Sequence, residues 1–186
     1  MTHPSSSRRM AIAAALGLAG VALAAAPALA ASVTVPMAIA TEQGAGESVG
    51  KITLSDAAGG HGVALALDLN GLPPGQHGFH LHANPSCEPT KGEDGKITPA
   101  GAAGPHLDPQ NTGKHLGPDG AGHLGDLPRI EVGKDGTAKQ TLTAHRFGSV
   151  ADFKGHALMV HVGGDNYSDT PTLGGGGGRL ACGVVQ

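Results

Sequence analysis

Between His106 and Asp126 the chain reads HLDPQNTGKHLGPDGAGHLGD. This run limits the possible folds more than any other, because it has neither helical nor strand periodicity and offers no face to a hydrophobic core. A stretch of that length without regular structure normally has a functional reason. His106, His115, His123 and Asp126 supply one, since a metal ion can order a loop that apolar burial cannot. Three neutral imidazoles and one carboxylate form a closed, four-ligand tetrahedral set of the kind that suits structural zinc. The fold must then provide rigid elements on both sides of a long loop.

Those elements read as strands. Val33 to Ala40 is β-branched and loosely alternating, with Pro36 placing it at an edge or a bulge. Ser48 to Leu54 is a second strand. Gly62 to Leu69 is a third, with Val63, Leu65, Leu67 and Leu69 on one face. After the turn NGLPPG at 70–75, Gln76 to His82 forms a fourth. Arg129–Val132 and Thr137–Thr143 flank Gly133-Lys134-Asp135-Gly136 and predict a hairpin. Ala157 to Val162 and Leu180 to Val185 complete the set. No helix is expected after residue 30. Roughly eight short strands separated by turns indicate an all-β sandwich or flattened barrel, with two long loops, at 83–128 and 163–178. Gly174–Gly178 would in isolation be a flexible linker. Between two strands and directly before Arg179, it fits equally well a loop whose backbone approaches a site.

The N-terminus reads as a cleaved secretory signal, residues 1–30. Arg8 and Arg9 precede the apolar stretch Met10–Ala26, and Ala28-Leu29-Ala30 is a small-residue cleavage pattern. A membrane anchor fits less well, because the stretch is short, Ala-rich and followed at once by that pattern. Ordinary secretion fits better than twin-arginine export, since no bulky apolar pair follows Ser7-Arg8-Arg9. The expected mature domain is 31–186. Cleavage removes two of the 12 Lys+Arg and none of the 15 Asp+Glu, leaving a net charge of −5, which argues against a nucleic-acid partner. With no Trp, one Tyr and three Phe, the core must come from Val, Leu, Ile and Ala. Two cysteines, Cys87 and Cys182, in an exported chain read as one disulfide.

Outside the loop, His80 and His82 are two apart on a predicted strand and share a face, with Phe79 and Leu81 turned to the core. By the same parity Val160 and Val162 face inward and His161 faces outward, toward the Gly-rich loop. Imidazole-rich sites with an open position suit copper. His77 has the inward parity of Phe79 and reads as a hydrogen-bonded structural histidine. His61, His145 and His156 read as surface residues.

Together these residues resemble copper/zinc superoxide dismutases, most closely the bacterial periplasmic branch. The motifs are GFHLH at 78–82, GPH at 104–106, HLGD at 123–126, HVGGD at 161–165 and RLACGV at 179–184. The resemblance implies an eight-stranded Greek-key flattened barrel, or immunoglobulin-like sandwich, and disproportionation of superoxide to dioxygen and hydrogen peroxide. It implies one copper per subunit, held by His80, His82, His106 and His161, and one zinc per subunit, held by His106, His115, His123 and Asp126. His106 would bridge the two metals. Asp165 would tie the copper ligand His80 to the zinc ligand His115, Arg179 would stand beside the open copper position, and Cys87–Cys182 would pin the loop to the last strand. Lys91 and Lys96 are candidates for guiding the anion. The resemblance admits a homodimer or a monomer, in the periplasm or secreted. The competing class is a non-enzymatic copper/zinc binding or delivery protein on the same fold, which should lack Arg179, His106 or part of the zinc set.

Overall fold

The computed structural model describes Met1 and residues 32–186. Apart from Met1, the expected signal segment and its cleavage site lie outside the described residues. Among the described residues no helix is long and apolar enough to cross a membrane.

Among the described residues eleven strands form: β1 (Ser32–Thr41), β2 (Gly44–Asp56), β3 (Val63–Leu69), β4 (Gly75–His77), β5 (Phe79–His82), β6 (Thr90–Lys91), β7 (Ile97–Thr98), β8 (Ile130–Val132), β9 (Thr141–Ala144), β10 (His156–His161) and β11 (Arg179–Val185). Seven make one antiparallel sheet in the order β5-β10-β11-β1-β2-β3-β9, and β4 pairs with β8 in a separate ribbon. That ribbon is joined to both edges of the sheet. Its strand β4 runs through Gly78 into β5, and β8 turns through Gly133–Gly136 toward β9. The sheet therefore curls around a single main core. The chain then crosses from β9 at one edge to β10 beside the other, the over-and-back path of a Greek key.

The alternation in β3 is as expected: Val63, Leu65, Leu67 and Leu69 are buried and meet Ile52, Leu54 and Val35 in the core. In β5 both faces are buried. Phe79 and Leu81 pair in register with Val160 and Leu158 and turn into the core, while His80 and His82 pair with Met159 and Ala157 on the opposite face. That second face is covered by loop. Met159, Ala157 and Cys182 pack there against Ala100 and Ala103, and the Cys87–Cys182 disulfide fastens this segment to β11.

Three expectations change. The strand 76–82 is two strands, because Gly78 spends its amide on Gly163 O and its carbonyl on His161 N. His77 then pairs with Ile130, and Phe79 with Val160. The expected hairpin keeps its turn, with Gly133 N–H donating to Thr137 O at 2.8 Å. Its arms, however, pair elsewhere, β8 with β4 and β9 with β3, because each arm has a partner already in place. Finally, Val162 is 57% exposed. A register shift between Val160 and His161 ends the strand parity, so Val160 is buried and Val162 is not. Among the described residues, three short stretches of 3-10 helix, Gly101–Ala103, Val150–Phe153 and Thr172–Gly175, are the helical content. Lys91 and Lys96 are exposed on the small β6–β7 hairpin.

Candidate metal centre

The loop 106–126 leaves and returns along one strand. Leu81 N–H donates to Gly125 O and Leu107 N–H to Leu81 O, both at 2.8 Å, and Gly125 N–H closes onto Leu107 O. His80 is bridged to Asp126 and His82 to His106. Both ends of the loop thus lie beside the two strand histidines. Gly125 is needed at this crossing, since a Cβ there would sit 2.2 Å from Leu81 O.

All seven expected ligands are buried. Two overlapping groups come together, His80, His82, His106 and His161 on one side, and His80, His106, His115 and Asp126 on the other, with the ligand atoms of each group within 4.8 Å of one another. His123 reaches the second group through Asp126, whose Oδ1 is approached by Nδ1 of His106 at 3.0 Å, of His115 at 3.0 Å and of His123 at 3.3 Å.

Hydrogen bonds on the outer ring nitrogens fix which atom each histidine offers. His82 Nδ1 is 2.8 Å from Gly104 O and His161 Nδ1 is 3.2 Å from Gly177 O. A carbonyl only accepts, so each Nδ1 carries the proton and each Nε2 presents a lone pair. Those two Nε2 atoms face each other at 3.4 Å. His80 and His115 use Nε2 toward Asp165, at 2.8 Å each, leaving Nδ1 inward. His80 Nδ1 and His106 Nε2 are buried without a hydrogen-bond partner, and His115 Nδ1 meets only Asp126 Oδ1. Buried polar atoms are rarely left so. Lone pairs converging on lone pairs, with a carboxylate oxygen among them, fit cations. An all-imidazole group suits copper, and three imidazoles with a carboxylate suit zinc.

Electrostatics favour ligation at the all-imidazole group. Burial holds His82 at about 2, with further lowering from His106. Burial also takes His106 down to about 4 against the pull of Asp126, and His161 to about 3. His80 is lowered by burial despite Asp165. These rings are therefore neutral and ready to ligate at neutral pH. In His115 burial also opposes the charge, but Asp126 and Asp165 overcome it and raise the ring to about 9. Both carboxylates are held well below the usual range, against burial, by the histidines they contact.

A cavity of about 230 Å³ opens onto the first group, lined by His82, His106, His161, Leu173, Gly177 and Arg179 among others. Arg179 is the register partner of His161 across the β10–β11 shift. Its guanidinium donates to Ala100 O and Gly104 O, which fixes its direction.

The glycine run packs against the centre. Gly174 lies in the left-handed region, at φ +68°, and a Cβ there would fall 2.1 Å from Asp165 Oδ1 and 2.9 Å from His115 Nε2. His77 is a structural histidine, its ring nitrogens 2.8 Å from Pro73 O and His161 O. Three residues that sequence reasoning passed over also support the site. Arg146 donates to His123 O and Gly122 O, and Arg129 and Tyr167 surround Asp165. Nothing in the spacing of Arg146 and Arg129 marks them, since each donates to a backbone carbonyl distant in sequence, whereas Tyr167 bonds the carboxylate two residues before it.

A family model described as copper/zinc superoxide dismutase matches residues 48–185. The chain is 54% identical over 158 residues to a superoxide dismutase [Cu-Zn] of Escherichia coli, covering 84% of this chain and 90% of that one. It is 52% identical over 161 residues to that of Brucella abortus, covering 86% and 91%. The solved Brucella abortus Cu/Zn superoxide dismutase superposes with a TM-score of 0.80 at 51% identity, over 84% of this chain and all of that one. The monomeric copper, zinc superoxide dismutase of Salmonella enterica does so at 0.73 and 54%, with the same coverage.

Proposed function

The chain belongs to the copper/zinc superoxide dismutase family, and from that premise we propose how its own residues divide the work. The activity is disproportionation of superoxide to dioxygen and hydrogen peroxide, with copper and zinc as cofactors. When bound, copper supplies the one-electron redox cycle and zinc a fixed positive charge. His80 through Nδ1, and His82, His106 and His161 through Nε2, would hold the copper. His106, His115 and His123 through Nδ1, with Asp126 Oδ1, would hold the zinc. The single observation behind this division is that His106 belongs to both ligand groups, with its Nδ1 3.0 Å from Asp126 Oδ1 and its Nε2 buried without a partner.

His106 then has a role beyond ligation. Its Nδ1 is kept beside Asp126 while its Nε2 faces the cavity side, so Nε2 can take and release a proton without the ring turning. Arg179 would dock the anion. Its charge is held at the cavity wall by two carbonyls, and partial burial strengthens its field relative to a charge in bulk water. A fixed cation at the mouth offsets the repulsion of an anionic substrate by a chain of net charge −5 after cleavage.

The test is a superoxide-disproportionation assay on the copper- and zinc-loaded protein, with Arg179→Ala and His106→Ala alongside. Arg179→Ala should lose rate more steeply at low salt. A wild-type protein without activity refutes the enzyme reading. An electronic spectrum unchanged in His106→Ala refutes the bridge. We also propose that residues 1–30 are removed on export and that 31–186 functions in the periplasm or outside the cell; the disulfide suits an oxidising compartment. N-terminal sequencing of the exported protein tests this, with a start other than Ala31 counting against it. The Salmonella enterica relative is a monomer, and sedimentation of the purified protein distinguishes that assembly from a homodimer.

A further inference from the structure

We propose that Arg129 and Tyr167 are positioning residues that lock the Asp165 carboxylate and, through it, set His80 and His115 relative to each other; this rests on the ligand assignment above. Neither residue lies in the motifs that carry the family resemblance.

Asp165 holds two rings at once, His80 through Oδ2 and His115 through Oδ1. Its Oδ1 also accepts the Tyr167 N–H at 2.7 Å, an Asx-type turn that fixes the side-chain rotamer. Tyr167 itself is left-handed, with φ +59°. A tyrosine keeps such a conformation only where its surroundings impose it.

Arg129 braces this turn at three points, two on Tyr167 and one on Asp165. Its backbone N–H donates to the Tyr167 hydroxyl at 3.0 Å. Its guanidinium lies over the Tyr167 ring, 5.2 Å from the centroid, a cation–π distance. Its Nη1 donates to Asp165 O at 2.9 Å. The other side of Tyr167 rests on the loop 106–126, where a Cβ on Gly117 would fall 2.6 Å from Tyr167 Cβ and Cγ. Arg129 stands three residues after Asp126, so one side chain joins the exit of the zinc loop to the turn that follows β10. The two rings that Asp165 holds lie edge to face, with centroids 5.3 Å apart. Any rotation of the carboxylate would move both.

The experiment titrates the metal-depleted protein with zinc against a chromogenic chelator, and records the copper(II) EPR spectrum after loading both metals. Variants are Arg129→Ala, Arg129→Lys and Tyr167→Phe, with Asp165→Asn as reference. Loss of a partner that orients a ligand typically costs about 10–100-fold in metal affinity, so Arg129→Ala should lose about 10-fold for zinc and alter the copper hyperfine pattern. Arg129→Lys should recover part of this, because an ammonium can still donate to Asp165 O. Tyr167→Phe keeps the ring and its N–H but leaves the Arg129 amide unpaired, and should fall between. If Arg129→Ala does not fold, Tyr167→Phe carries the same test. Zinc affinity within about twofold of wild type with an unchanged EPR spectrum overturns the proposal, even if the variant melts earlier. A wild-type protein that takes up no zinc overturns the ligand assignment and this proposal with it.

Discussion

Replacing Gly174 by alanine should cost far more than an exposed loop substitution. Two separate penalties apply. The residue sits at φ 68° and ψ 1°, and an L-residue in the left-handed region loses about 1–2 kcal/mol. The new Cβ would also stand 2.1 Å from Asp165 Oδ1. That oxygen cannot simply swing away, because His115 Nε2 and the Tyr167 amide hold it while His80 Nε2 holds its twin. Giving up one hydrogen bond to a charged group costs about 1.5–3 kcal/mol. The sum is about 2.5–5 kcal/mol. Gly177→Ala is the control. It lies in the same run, at φ +66°, and the nearest atom to its Cβ is Gly175 O at 4.0 Å. It should therefore lose only about 1–2 kcal/mol. Equilibrium urea unfolding of both variants and the wild type, all without metal, gives the comparison. Equal destabilisation of the two would refute the reasoning, because the loss would then be conformational and the contact with Asp165 irrelevant.

The stability of the metal-free protein should peak near neutrality. His115, raised to about 9, contributes stability that is complete below 6.5 and lost as pH rises through about 9. Asp126 and Asp165, held low, contribute stability present above 3.8 and lost in acid. His82, His106 and His161, lowered by burial, bind fewer protons folded than unfolded and so destabilise the fold as pH drops below 6.5. A urea midpoint that climbs steadily from pH 7 to 9 would contradict the charge on His115. Removing the disulfide with Cys87→Ser and Cys182→Ser opens a loop of sequence separation 95, which should cost about 4–5 kcal/mol by calorimetry or chemical unfolding. Arg146→Ala deletes two charged hydrogen bonds to Gly122 O and His123 O. It should destabilise by about 3 kcal/mol, two bonds each at the low end of about 1.5–3 kcal/mol because both are only part-buried, and speed the loss of zinc to a chelator; a wild-type zinc off-rate would show that the arginine does not brace the loop.

The local sequence was sufficient for a good part of this protein. Period-two patterning set β3 and the inward turn of Phe79 and Leu81, because side-chain direction on a strand depends only on parity. Residue type and spacing picked out the ligand histidines and Asp126, since few side chains can ligate a cation; Asp165 and Arg179 came only from the resemblance to the family's motifs. Tertiary structure decided what parity could not. The shift at His161 put Val162 in solvent, and Gly78 divided one apparent strand between two sheets, because each backbone amide went to a partner distant in sequence. It also decided which ring nitrogen each histidine offers. That choice depends on the group behind the ring: Gly104 O behind His82, Gly177 O behind His161, and Asp165 behind His80 and His115. The run from His106 to Asp126 specifies a loop that needs a metal. Only the fold brings both ends of that loop onto β5, where one ring, His106, faces two clusters at once.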